Sequence, residues 1–435
     1  MDNLLFHARQ TLRSLRHRDY RLYFFGQLLS MAGTWMQGTA LGWLVYRLTG
    51  SSLLLGLLGF ASQAPSLLFG LWGGALADRY DKRRLALGTQ ALCLVQAAVL
   101  AWLTLAGTVT VTDIFVLSIL LGVVNAVDMP VRQALVVELV ERQDIGNAIA
   151  LNSTMVNASR IIGPALAGFL IVASGEGVCF LINAVSYVAA IIALTLIRRE
   201  GLRPRPPATE GLSWRFIHEG VGYVLASARM RSVLLLLAAI SLVSVPFMIL
   251  LPIFAKDILM AGAKGLGLLT AAGGLGAVLG ALGLARLEST ERLPRLMGRA
   301  TLVFGVALAL FAYSTNMLLS LALMVMAGGA MMSTFAGSNT MLQDLTSDDM
   351  RGRVMSLFSM TFMGVAPVGN LLAGAAAHRF GAPATVAACG LATCVGPPCE
   401  GPNCVTQEPT FVLIAGEGGC GCRVGGSGGS SGTGG

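Results

Sequence analysis

Charge is what this sequence has least of. Only 12% of its 435 residues are Asp, Glu, Lys or Arg, against about a quarter in soluble globular chains, so an ordinary water-facing surface is excluded. Histidine is almost missing as well. His7, His17, His218 and His378 are never paired at ligand spacing, and no nucleophile motif accompanies them, so neither a metal site nor an enzyme is expected. Cysteine is confined to Cys93 and Cys179 until the last fifty or so residues. Both fall within apolar runs and read as small core residues.

What fills the chain instead is apolar. Hydrophobic residues make up 55%, the mean hydropathy is +0.72, and there are 54 glycines. That composition suits many packed membrane helices, in which small residues let backbones approach. A span needs about 20 apolar residues. Such runs lie near 21–46, 53–77, 85–106, 113–137, 147–173 and 178–197, and again near 232–255, 265–286, 297–314, 317–342 and 354–377, with a last one beginning near 383.

The 30 cations fall mostly on one side of this layout. Arg47, Lys256, Lys264 and Arg379 are the ones outside, and short loops rich in Lys and Arg stay in the cytoplasm. Orientation in the bilayer thus accounts for the net charge of +8 better than nucleic acid does. Residues 1–21 are basic, and the run that follows is a full span without a cleavage site, so the amino terminus is expected inside.

Between the second and third runs lies Gly74-Ala75-Leu76-Ala77-Asp78-Arg79-Tyr80-Asp81-Lys82-Arg83-Arg84. Charge this dense cannot lie in hydrocarbon, so it marks a short inner loop. Its pattern resembles the loop between helices two and three of the major facilitator superfamily, roughly G-x-L-A-D-R-x-G-R-R, with Asp81 where that family has its second glycine. The resemblance implies an all-α membrane protein of two six-helix halves, 1–197 and 232–395, joined by a cytoplasmic segment, 198–231. An internal repeat agrees: Gly163-Pro164-Ala165-Leu166-Ala167-Gly168 superposes on Gly369-Asn370-Leu371-Leu372-Ala373-Gly374, and the same register lays Glu138 on Asp344 and Gly146 on Gly352. Within the central segment Arg203-Pro204-Arg205-Pro206-Pro207 is a stiff linker, and Leu212–Leu225 is patterned as an amphipathic helix on the inner membrane surface.

Ionisable groups inside spans are the candidates for function. Asp128, ahead of Pro130 in the fourth run, is either a carboxylate that exchanges a proton or binds a cationic group, or a structural partner of Arg132 or Arg160. Arg160 precedes Gly163, Pro164 and Gly168, which allow a bend and close helix contact and resemble part of the fifth-helix motif of exporters in the superfamily. Arg160 either contacts an anionic substrate or is neutralised by a neighbour.

The stretches around Asp128 and Arg160, with Asn147–Ser153, Asn339–Asp344 and Met350–Val354, resemble the branch that contains the enterobactin exporter. That branch implies proton-driven export of small amphipathic molecules, siderophore or drug-like. It departs at one point: Ser118 stands where many proton-coupled members carry an arginine. The resemblance further implies that Gly74, Asp78, Arg79, Lys82 and Arg83 latch the halves. Asp78 would meet the start of the eleventh span near Arg351 and Arg353, and Glu138 would pair with Arg79 or Arg83. The substrate and proton pathway is expected to draw on Gln37, Trp35, Asn125, Asp128, Arg160, Met248, Met332 and Asn339.

The pattern fails after Ala388. The twelfth apolar run stops by Val395, and residues 396–435 are rich in Gly, Ser and Cys. Cys389, Cys394, Cys399, Cys404, Cys420 and Cys422 contain no two-residue Cys spacing and no histidine, so no metal site is expected, and the tail reads as low-complexity sequence replacing a normal last helix. The expectation is an inner-membrane, multi-pass transporter, monomeric, with no cofactor, whose partners are lipid, a small-molecule substrate and protons. Uptake by symport, lipid movement, or a sensor or scaffold on the same fold are the alternatives.

Overall fold

In the computed structural model the described residues are 12–198, 214–286 and 292–394, and every regular element among them is helical. The turns are set by local chemistry. Helix α1 (Arg18–Thr49) stops where Gly50 takes a left-handed φ of 61°, which a side chain would strain. The Ser51 hydroxyl then accepts from the Leu54 amide to start α2 (Ser52–Arg79). Asp81 accepts from the Arg84 amide at 2.8 Å and starts α3 (Lys82–Leu105). The residue that replaces the motif's second glycine is therefore a helix cap. Thr110 and Asp113 close a capping box on α4 (Val111–Glu138).

Helices α5 (Ile145–Ser174) and α6 (Glu176–Leu196) complete a first bundle, and α7 (Trp214–Ala226) follows. The seventh span is broken: α8 (Ala228–Ala239) and α9 (Phe247–Ile253) are joined by a π-helical turn at Ile240–Ser244, and a second such turn, Phe254–Ile258, ends it. Pro246 and Pro252 lie beside these turns, where a missing N–H loosens the α-helical ladder. Then come α10 (Gly262–Ala285), α11 (Leu293–Ala312), α12 (Met317–Leu345), α13 (Arg351–Phe380) and α14 (Ala382–Thr393).

Among the described residues, ten helical stretches are long and apolar enough to cross a membrane. Helix α1 is not in that group, because Gln27, Ser30, Thr34, Gln37 and Thr39 dilute its hydropathy. Helix α14 follows Gly381 and is described as far as Thr393. The expected linker Arg203–Pro207, residues 1–11 and the tail with Cys399, Cys404, Cys420 and Cys422 lie outside the described residues. Several helices outrun the expected spans, as α1 does over 21–46 and α4 over 113–137, because polar first and last turns extend beyond the hydrocarbon.

Helix α1 packs on α5 and α6, α3 on α6, and α2 on α4; α12 packs on α10 and α11, and α14 on α11. The two groups meet along two seams, α5 on α10 and α2 on α13. Glycine makes both possible. A Cβ on Gly168 would lie 2.9 Å from the Gly267 Cα, and one on Gly374 would lie 2.6 Å from the Gly56 Cα. Gly168 and Gly374 are the positions that the internal repeat superposes, so each copy of the repeated segment supplies the same close helix contact.

Candidate functional site

The expected latch residues lie on the face that carries the basic loops, and there they are apart. Asp78 and Arg79 are exposed, and Asp78 makes no hydrogen bond or ion pair among the described residues. Arg79 lies over the Tyr80 ring, and Gly74 has open space beside it. Glu138 does not reach Arg79 or Arg83. It pairs with Lys82 at 2.8 Å, because Lys82 opens α3 directly beside the end of α4. Arg83 instead donates to the carbonyls of Leu194 (2.7 Å) and Thr195 (2.6 Å), closing the end of α6. On the other group Arg351 pairs with Asp348 at 2.8 Å, and Arg353 reaches Glu219 of α7 at 3.1 Å. Tyr223, also on α7, receives a hydrogen bond from the Ser347 amide.

At the opposite face the groups are joined. The Tyr46 hydroxyl, at the end of α1, donates to Asp257 in the last turn of the seventh span, and Lys256 lies 5.1 Å from the centre of the Tyr46 ring. The Gly168–Gly267 and Gly56–Gly374 seams lie in the same half of the molecule's height. Arg47 and Glu176 pair at 2.7 Å within the first bundle.

Asp128 is 2% exposed and occupies a buried polar cluster. Arg132, one turn along α4, is 2.6 Å away; Thr89 Oγ1 donates at 2.6 Å and Gln90 Nε2 at 3.1 Å, both from α3. Ser30 donates to Gln90, and Arg132 donates to Gln27, tying α1 to the same cluster. The four-residue spacing made the Asp128–Arg132 pair visible beforehand, whereas Thr89, Gln90, Gln27 and Ser30 were missed. Polar residues interrupting apolar runs were the available signal. Arg160 is not part of this cluster.

Gln37 belongs to a second layer inside the first bundle. It donates to Gln96 at 3.1 Å and accepts from Asn183 at 2.8 Å, and it is 1% exposed, so it holds α1, α3 and α6 together and does not line the cavity. Asn125 and Met332 are half-buried, and Asn339 accepts from Gln343. Ser118 is buried, with its hydroxyl bonded back to the Ile114 carbonyl. Pro130 and Pro164 both sit inside continuous helices. Gly163 seats α5 against Trp35 and Met36 of α1.

A cavity of about 380 Å3 lies between the groups, lined by α1, α2, α9 and α10. Trp35, Gln63, Met248 and Thr270 are among its walls. Met248 also borders a smaller recess beside Arg160, whose guanidinium stands 5.0 Å from the centre of the Trp35 ring. Two helix bundles meeting along two seams around a central cavity define a membrane transporter of the major facilitator type.

The chain belongs to the transmembrane secretion effector family, whose model matches residues 9–397. It is 24% identical to a staphyloferrin A transporter of Staphylococcus aureus, over 86% of this chain and 93% of that one. It is 26% identical to an enterobactin exporter of Shigella boydii, over 79% of this chain and 81% of that one. The fold is similar to that of a bacterial homologue of the human lysosomal transporter Spinster, with a TM-score of 0.67 and 15% identity, over 84% of this chain and 83% of that one. These relatives are transporters, not enzymes, and the chain is a multi-pass membrane protein.

Proposed function

We propose that this protein is a proton-driven exporter of small amphipathic molecules, siderophore or drug-like, working by alternating access in the bacterial inner membrane with its basic face toward the cytoplasm. The observation that carries the reading is the pairing of a cavity between the two bundles with a buried carboxylate, Asp128, held by Arg132, Thr89 and Gln90. A closed outer face and a disengaged latch are what a transporter loading substrate from the cytoplasm requires. In that state an antiporter has already released its proton inward, and the contact between Asp128 and Arg132 is where this reading puts the exchange. Protonation from the outer side would dissolve that pair and free α4 to move against α3 and α1. The enterobactin exporter among the relatives supports export as the direction. In the opposite state Asp78, Arg79, Arg351 and Arg353 form the latch, with Glu138 and Lys82 stiffening its base.

Everted membrane vesicles holding the protein test this. With an imposed acid interior, a lipophilic dye or siderophore is expected to accumulate and to stop accumulating when the gradient is collapsed. Accumulation that ignores the gradient removes proton coupling. Flux only in the opposite direction replaces export with uptake.

A further inference from the structure

Arg160, half-buried between the bundles, has no opposite charge among the described residues. Arg160 stands halfway along the 30-residue α5. Its Nε is buried without a hydrogen-bond partner, and the side chain makes no ion pair among the described residues. Arg132 shows the contrast, since Asp128 sits 2.6 Å from it. What Arg160 has is the face of Trp35, 5.0 Å to the ring centre. A cation–π contact returns only part of the hydration that this half-buried guanidinium gives up at its buried Nε.

The surroundings say what would complete it. The recess beside Arg160 is walled by Phe247, Met248, Gly274, Phe304, Met324 and Met331, all from the second bundle and none able to accept a strong hydrogen bond. Through Met248 and Trp35 the recess adjoins the cavity of about 380 Å3, which falls in the range that holds a drug-sized ligand. Thioethers and aromatic rings accept flat or irregular apolar bodies. The fork of a guanidinium matches a carboxylate or sulfonate.

We infer that Arg160 and Trp35 form the recognition point for an amphipathic organic anion: the acidic group meets Arg160 and the apolar body lies against Trp35 and the methionines. This rests on the reading of the central space as the substrate path. Arg160 belongs to one bundle and the recess wall to the other, so an anion held by the guanidinium would lay its apolar body against the wall only while the two approach. Occupancy would thereby favour closure over the ligand, and an empty cavity would leave the charge uncompensated.

The test is equilibrium binding to the purified full-length protein in nanodiscs, with empty discs subtracted. The probes are two aromatic molecules of similar size, 1-anilinonaphthalene-8-sulfonate as the anion and ethidium as the cation. Arg160→Gln is expected to weaken sulfonate binding by about tenfold or more and to leave ethidium binding no weaker. Arg160→Lys keeps the charge and loses the fork, so it is expected to recover only part of the sulfonate affinity. Thermal melting of each variant shows whether the fold survives. The inference is overturned if the wild type binds no sulfonate saturably, if Arg160→Gln binds it as tightly as the wild type, or if a well-folded Arg160→Gln loses both probes alike. Sulfonate that binds at Arg160 but does not enter everted vesicles would keep the site and end the export reading.

Discussion

A charge survives in an apolar interior either by pairing or by waiting for a ligand, and the first bundle contains both cases. Asp128 is the paired one. Removing its charge leaves Arg132 buried with Gln27 alone, and breaking a buried pair from one side costs about 3–5 kcal/mol. Asp128→Asn is therefore expected to lower the melting temperature markedly and to abolish gradient-driven flux. Those two effects separate in a double variant. Asp128→Leu with Arg132→Met removes both charges, so melting is expected to recover toward the wild type while flux stays absent. Recovered flux in that variant would show the pair to be structural only. Asp78 has no such structural role, because it is exposed and has no partner among the described residues. Asp78→Asn is expected to insert and melt like the wild type and yet to transport poorly, since the latch we propose for it would form only in the other state. Normal turnover by that variant would remove the latch.

Elements were legible to different depths. Hydropathy alone located the helices, because hydrocarbon thickness sets a span length that a sequence cannot hide. The basic loop located their inner face. The Asp128–Arg132 pair could be read from its spacing, since residues four apart on a helix are neighbours. Rotation of a helix about its own axis could not be read. On α1 the polar residues Gln27, Ser30, Thr34 and Gln37 recur at helical spacing, but such a stripe can face a cavity or the neighbouring helices of its own bundle, and the pattern does not say which. Gln37 was expected in the cavity and lies among Gln96 and Asn183 for that reason. The partner of Glu138 was equally hidden, because choosing between Lys82 and Arg83 depends on the first turn of α3.

The repeat pointed to two related halves, and the structure puts its matched glycines, Gly168 and Gly374, at the two seams between them. At Gly374 an added side chain would meet the backbone of Gly56 and the Ser52 carbonyl, neither of which can turn aside. Gly374→Leu is expected to prise α13 from α2, and Gly168→Leu to do the same to α5 and α10. Overpacking of this kind costs about 1–3 kcal/mol, enough to shift a two-state balance between the faces by roughly fivefold to a hundredfold. Expression and melting close to the wild type, with a changed conformation, is the result that fits.

At the scale of the molecule that conformation can be read as two distances. Leu105 and Leu318 are exposed at the face where the bundles are joined, one on each bundle. Gly88 and Gly283 lie toward the basic face, again one on each, with open space around both. Spin labels at these two pairs, in a background whose native cysteines have been replaced, report whether the faces move oppositely. Alternating access requires that they do: Gly374→Leu should lengthen the Leu105–Leu318 distance and shorten the Gly88–Gly283 distance in the same sample. Tyr46→Phe, which removes the hydroxyl bonded to Asp257, should move both distances the same way and by less, because it deletes one contact at the joined face and leaves the glycine seams intact. Adding the Asp78→Asn change to Gly374→Leu then decides what the basic loop is for. If the loop is a latch, the double variant loses the shortened Gly88–Gly283 distance while keeping the lengthened one, since nothing then holds the basic face closed. If that distance stays short, the bundles close by their own packing and the charges of the loop serve only to orient the chain in the membrane.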